Sequence, residues 1–137
     1  MNNLICEVCG HQTTQLVKRP FDSMYNQMHI HLDSVEMYEC EHCGESTLTP
    51  EQDKVISEKV KSIARERLNL LPPDAIVRIR RRYDLSQEDL ESLFGLGKKV
   101  VIRWEKGRVL QSKTADVLLR LMDQNPHIVE EIRNIQV

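Results

Sequence analysis

The four cysteines of this 137-residue chain form two short units of the same design. The first unit is Cys6-Glu7-Val8-Cys9-Gly10 and the second is Cys40-Glu41-His42-Cys43-Gly44. Two intervening residues let both thiolates of a unit turn towards one point, and the glycine that follows permits a tight backbone turn. Four sulfurs at about 2.3 Å from one ion match the tetrahedral preference of Zn²⁺. The sequence therefore predicts a structural zinc site with four ligands, namely Cys6, Cys9, Cys40 and Cys43.

Other uses of paired cysteines remain open at this point. Iron also binds sites made of four cysteines. Two disulfides would be unusual in the cytosol, and a redox-active pair normally lies at a strand-to-helix junction of a larger α/β fold. A catalytic zinc ion would need an open coordination position, which four thiolates do not leave. His11 and His42 lie beside the two units, where we expect supporting or exposed residues rather than ligands.

The 30 residues from Gly10 to Glu39 exceed the usual separation of a zinc ribbon, so they must form a strand or loop excursion from the metal. Apolar and polar residues alternate from Met28 to Asp33, which predicts a half-buried strand, and the alternation falters near Ser34. His29 and His31 share one face of this strand. We interpret them as polar surface residues, with a second metal site as the weaker alternative.

A helix is predicted after the second cysteine unit. Thr49 is its N-cap, Pro50 is its first residue, and Gln52 completes a capping box. We expect this helix to run to about Leu68, because the paired prolines at 72–73 cannot continue a helix. The sequence therefore predicts a zinc-binding domain over 1–68, a linker at 69–73 and a second domain over 74–137.

The second domain has the pattern of a helix-turn-helix. A first helix is predicted over Asp74–Tyr83, and Ser86-Gln87-Glu88-Asp89 is an N-terminal signature that opens the next helix. Gly95-Leu96-Gly97 then interrupts the chain. A third helix is predicted from Lys98 to Lys106, ended by Gly107. Such a third helix can enter the major groove of DNA while its apolar face is anchored in a core.

The charge distribution is compatible with DNA binding. Residues 1–69 carry 7 Lys/Arg against 11 Asp/Glu, whereas residues 70–137 carry 12 against 10. The basic stretch from Ile76 to Arg108 could attract a polyanion or could line a solvated helix face. Lys99 and Arg103 are four residues apart on the third helix, and we expect them to read bases. Phosphate contacts are predicted for Gln87, Lys98, Lys106 and Arg108.

Two further helices are predicted, one after a Ser112 or Thr114 cap and one opened by Asn125-Pro126. They carry more apolar positions than one small core needs. We expect some of these positions to form a two-fold interface, because dimers read two half-sites about 34 Å apart. The apolar positions are Val117, Leu118, Leu121, Met122, Ile128, Val129, Ile132 and Ile135.

The two cysteine units, followed by Ser86-Gln87-x-x-Leu90, Phe94-Gly95 and Arg103-Trp104-Glu105-Lys106-Gly107, resemble the MqsA-type antitoxins of bacterial toxin-antitoxin systems. The resemblance covers nearly the whole chain. It implies a zinc-stabilised N-terminal domain that neutralises a toxin, commonly an mRNA interferase, and a C-terminal XRE-like dimer that binds operator DNA and represses its own operon. It also implies that the four cysteines are the ligands and that Arg103 contacts a base. Lys99 stands where the best-known member has asparagine, which implies a different operator sequence.

The sequence thus predicts an α+β protein, with a small N-terminal zinc-binding β/α domain followed by an all-α helix-turn-helix domain. A cytoplasmic location is expected, because there is no signal-peptide pattern and no apolar run of about 20 residues. An enzyme is not expected, because no Ser-His-Asp, paired-carboxylate or phosphate-loop arrangement stands out. The alternative function is a transcription regulator whose zinc module senses metal or binds another protein, with no cognate toxin.

Overall fold

Strands precede helices in the computed structural model, which describes residues 5–135. One unit ends at Ala64 and the next begins at Arg65. The first unit holds the strands β1 (Thr14–Tyr25), β2 (Met28–Cys40) and β3 (Ser46–Thr47) and most of the helix α1 (Pro50–Arg67). The second holds the helices α2 (Pro73–Arg82), α3 (Gln87–Phe94), α4 (Val100–Glu105), α5 (Lys113–Gln124) and α6 (Ile128–Ile135). This arrangement confirms the predicted α+β class.

The division between the units falls within α1, upstream of the predicted linker at 69–73. The assignment of separate functions to the two parts of the chain stays a prediction. None of the helices formed by residues 5–135 combines the length and hydrophobicity that a bilayer crossing requires.

A long antiparallel hairpin fills the excursion between the two cysteine units. β1 pairs with β2 along its length, and β3 pairs with the end of β2, so the strand order is β1-β2-β3. The hairpin turn consists of Asn26 and Gln27, whose φ angles are 45° and 68°. Two positive φ angles in a two-residue turn match the twist of the flanking strands. β1 has no regular alternation of apolar and polar residues, so the sequence does not predict it.

A β-bulge explains why the alternation of β2 falters. Pro20 stands opposite both Asp33 and Ser34, because the pairing register shifts between Arg19 and Phe21. One extra residue in β2 reverses which side of the strand faces the core, and proline has no N–H to donate to the ladder. The buried residues are therefore Ile30 and Leu32 before the bulge, and Val35 and Met37 after it.

The N-terminal cap of α1 is the one that the sequence predicts. The backbone N–H of Gln52 donates to the Thr49 hydroxyl at 3.2 Å, and the Thr49 N–H donates to the Gln52 side-chain oxygen at 3.0 Å. These reciprocal bonds satisfy two N–H groups that the first helical turn leaves without partners. Ile56, Val60 and Ala64 are buried at four-residue intervals along one face. Together with the buried residues of β2, they supply most of the buried apolar side chains of the first unit.

The five helices of the second unit share one apolar core. Every helix from α2 to α6 contributes at least one buried side chain, and Trp104 is only 4% exposed. Tyr83, Phe94 and Val100 are only partly buried and pack against this core. The buried residues of this core are Ile76, Ile79, Leu85, Leu90, Leu93, Val101, Trp104, Ala115, Leu119, Met122 and Val129.

A buried carboxylate attaches the segment before α2 to α5. The Asp116 side chain is fully buried and accepts hydrogen bonds from the Leu71 N–H at 2.8 Å and the Arg120 guanidinium at 2.8 Å. Gln111 donates both to Asp116, at 3.2 Å, and to the Leu71 carbonyl, at 2.9 Å. Arg120 also donates to the Asn69 carbonyl at 2.8 Å. The backbone of residues 69–71 is therefore held by side chains of the second unit.

We predict that Asp116→Ala lowers the free energy of unfolding by about 3 kcal/mol, because it leaves buried donors without an acceptor. Burial raises the pKa of Asp116, but the bonds from Leu71, Arg120 and Gln111 outweigh burial and hold that pKa below its usual value. The stabilisation is therefore complete above the ordinary aspartate pKa and is lost as the pH falls through the folded-state pKa. Urea unfolding followed by Trp104 fluorescence at several pH values measures both effects, and the exposed Glu131→Ala is the control.

Candidate functional site

The four cysteine sulfurs converge on one point at the base of the hairpin. The Sγ atoms of Cys6 and Cys43 are 3.6 Å apart, as are those of Cys9 and Cys40, and all four lie within 4.8 Å of one another. Tetrahedral ligands at about 2.3 Å from an ion would be about 3.8 Å apart. The four side chains therefore fit the coordination sphere of a metal ion such as Zn²⁺, as the spacing of the two units predicts.

The two cysteine units have the same backbone structure. The Gly10 N–H donates to the Cys6 carbonyl, and the Gly44 N–H donates to the Cys40 carbonyl, both at 2.8 Å. The glycine φ angles are +77° and +76°, a region that residues with a side chain seldom adopt. The pairing of Thr14 with Cys40 in the hairpin brings the two units together. The long excursion between the two cysteine units is therefore the hairpin that brings their sulfur atoms together.

Thr13 supports the sulfur cluster, a role that no motif in the sequence indicates. Its hydroxyl lies 3.0 Å from the Cys40 sulfur, and this contact lowers the pKa of the Cys40 thiol to about 6. The backbone hydrogen bond from Glu45 lowers the pKa of Cys43, but desolvation and the neighbouring sulfurs raise it to about 12. One thiolate is thus stabilised while its neighbour resists ionisation. A cation bound at the centre would favour the ionised form of all four cysteines, because it attracts all four thiolates.

His11 and His42 stack on each other beside the cysteines. Their ring centroids are 3.8 Å apart and their planes differ by 16°. Both rings are exposed, and they lie close enough to Cys9 for the three residues to form a second potential ligand group. The four sulfurs complete a tetrahedral sphere without these rings, so a metal ion held there would not need the histidines as ligands.

The third helix of the helix-turn-helix starts later than the sequence predicts. α4 begins at Val100, not at Lys98, because Lys99 adopts a left-handed conformation with φ of +69° at the N-cap. Lys98 and Lys99 therefore belong to the turn between α3 and α4. The Lys99 carbonyl still accepts the Arg103 N–H at 3.4 Å, which puts Lys99 one turn before Arg103.

The predicted DNA-contacting residues lie on α4, in the segments that flank it, and at the start of α3. Gln87 is the first residue of α3 and is half-buried. Arg103 is on α4, Lys106 is its C-cap and Arg108 follows the helix. The basic residues among them are exposed, and they are Lys98, Lys99, Arg103, Lys106 and Arg108.

Part of the basic stretch is neutralised within the protein. Arg78 and Arg82 both form ion pairs with Asp123, at 3.0 Å and 2.9 Å. Arg80 pairs with Glu105 at 2.7 Å, with side chains only 11% and 6% exposed. The run at 80–82 therefore contributes less to an attractive surface than its sequence suggests, and the exposed charge is concentrated around α4.

Two carboxylates hold α4, which at six residues is too short to be stable alone. Lys99 provides no side-chain cap, and the buried Glu91 of α3 instead accepts the Val101 N–H at 3.0 Å. At the other end, Glu105 accepts bonds from Arg80. The positions of these two acids in the sequence do not reveal their roles, because their partners lie on other helices.

The chain is similar to known proteins over nearly all of its length. The family model of MqsA, the antitoxin component of a bacterial toxin-antitoxin system, matches residues 4–133. Antitoxin MqsA of Escherichia coli (strain K12) is 32% identical over 95 residues, which cover 69% of this chain and 72% of that protein.

We predict that Thr13→Val lowers the affinity of the cysteine cluster for Zn²⁺ by about 10-fold to 100-fold, because it removes the hydroxyl contact to Cys40 without changing the side-chain volume greatly. The stoichiometry should stay at about one ion per chain, as four ligands complete one site. Competition with a chromophoric chelator measures the affinity. Thr47→Val in β3 is the matched control, and equal affinities of the two variants would contradict a supporting role for Thr13.

Proposed function

Because the chain belongs to the MqsA family of antitoxin components, we propose that it is the antitoxin of a type II toxin-antitoxin pair and the repressor of its own operon. The observation that carries this proposal is the presence, in one chain, of a four-cysteine cluster followed by a helix-turn-helix. The part of the fold that ends at Ala64 would bind the toxin, and the part that begins at Arg65 would bind operator DNA. The proposed role is not enzymatic, because four thiolates leave no open coordination position.

We infer that the ion of the cluster is a structural Zn²⁺. Cys6, Cys9, Cys40 and Cys43 would hold it, and the ion would supply folding free energy on the order of 10 kcal/mol. The first unit has few buried apolar residues, so such a link between the two ends of the hairpin is a large part of its stability. The acidic first part of the chain suits a basic partner, such as a toxin that cleaves mRNA.

The second unit would bind double-stranded DNA through α4. Arg103 is exposed in the middle of this helix and can form two hydrogen bonds to guanine O6 and N7. Lys99 precedes it by one turn and would read a neighbouring base. Lys98, Lys106 and Arg108 surround these residues, and together with Gln87 they would contact phosphates.

The exposed apolar face of α5 supports a homodimer. Val117 and Leu121 are four residues apart and remain 44% and 40% exposed, although neighbouring residues of α5 are fully buried. A two-fold partner could cover this face, and a dimer would present two copies of α4 to two half-sites.

We predict that Arg103→Ala weakens binding to the DNA upstream of the gene by about 1–3 kcal/mol and has a smaller effect on a scrambled duplex. Lys106→Ala should weaken binding to both duplexes about equally, because a phosphate contact carries no sequence information. Fluorescence anisotropy at fixed salt concentration measures all four affinities. The division of roles is wrong if both variants lose the same affinity on both duplexes.

We further predict that the tagged chain, purified from its native host, retains a small partner encoded in the same operon. Arg103→Ala should still retain this partner, whereas Cys40→Ser should lose it, because the substitution removes a ligand from the toxin-binding unit. Mass spectrometry of the eluates identifies the partner. Absence of any operon-encoded partner would favour a transcription regulator without a toxin.

A further inference from the structure

Glu105, the last residue of α4, has an environment that differs from that of its exposed neighbour Lys106. Its side chain is 6% exposed, and its two carboxylate oxygens accept bonds from Arg80 at 2.7 Å and 2.9 Å. This two-point contact fixes the plane of the carboxylate. It also neutralises a negative charge that would otherwise lie beside a surface proposed to bind phosphates.

The same carboxylate contacts the start of α3. The Gln87 side-chain nitrogen donates to a Glu105 oxygen at 3.1 Å. Arg80 in turn donates to the carbonyl of Leu85, just before the N-cap of α3, at 2.9 Å. Glu105 thus links the end of α4 to the beginning of α3, both directly and through Arg80.

The bond to Glu105 determines how the Gln87 amide is oriented. An ionised carboxylate can only accept hydrogen bonds, so the amide must present its nitrogen, not its oxygen, to Glu105. The nitrogen carries two N–H groups, and one of them remains available after this bond forms. A phosphate oxygen also only accepts hydrogen bonds, so a nitrogen held in place by Glu105 suits it.

We propose that Glu105 is a positioning residue, which holds the Gln87 amide so that its second N–H donates to one phosphate of the bound DNA. This inference rests on the proposed DNA binding and assigns a role to a residue that does not itself touch the DNA. It predicts that Glu105 and Gln87 act on the same phosphate contact. A purely structural Glu105 would instead affect all contacts alike.

Phosphate-ethylation interference on the duplex immediately upstream of the gene tests this proposal. With the wild-type chain, ethylation of the phosphate that Gln87 contacts should interfere with binding in each half-site. Gln87→Ala should remove the interference at that phosphate and at no other. Glu105→Gln should remove the same signal and weaken binding about threefold to tenfold, as expected for one hydrogen bond. In the Gln87→Ala background, Glu105→Gln should cause no further loss. Arg78→Gln, which removes an exposed ion pair with Asp123, is the control and should leave the pattern unchanged.

The outcomes separate this inference from the proposed function. Failure of the wild-type chain to bind the upstream duplex would overturn both this inference and the proposed DNA binding. Binding by the wild type with an interference pattern that Gln87→Ala does not alter would overturn the positioning role alone, and this result does not depend on the folding of Glu105→Gln. A uniform loss of all contacts in Glu105→Gln, with additive losses in the double variant, would likewise assign Glu105 a purely structural role.

Discussion

The first unit depends on the convergence of four sulfur atoms. The hairpin brings the second cysteine unit back beside the first, and the pairing of Thr14 with Cys40 completes this return. Four thiolates repel one another unless a cation lies between them, so binding of the proposed ion would be coupled to the folding of this unit. The hydroxyl of Thr13 lowers the pKa of Cys40, whereas desolvation and the neighbouring sulfurs raise the pKa of Cys43. In the proposed function, a bound ion would provide the stability that the small apolar core does not.

In the second unit, the six-residue helix α4 has to be held in place by other parts of the fold. Its apolar side is anchored by Val101 and Trp104 in the core. Its two ends are held by Glu91, which accepts the Val101 N–H, and by Glu105, which accepts bonds from Arg80. Acidic residues beneath an exposed basic surface are compatible with binding a polyanion only because each is buried and paired.

The sequence predicts those features whose cause is local. The two cysteine-glycine units, the capping box of Thr49 and Gln52, and the cap at Ser86 all depend on residues within a few positions of one another, and the structure has each of them. What the sequence does not predict depends on distant partners. β1 is specified by its pairing with β2, and the contact of Thr13 with Cys40 spans 27 positions. The late start of α4 has a local cause, but lysine gives no signal of a left-handed conformation.

That left-handed conformation of Lys99 limits how the surface around α4 can change during evolution. A φ of +69° costs most residues about 1 kcal/mol, and it is worst tolerated by branched side chains such as valine, isoleucine and threonine. Glycine and asparagine accept it more easily, so few amino acids can replace Lys99 without cost. Arg103 lies within regular helix and has no such restriction. Diverging operators would therefore be matched more readily by substitutions at 103 than at 99.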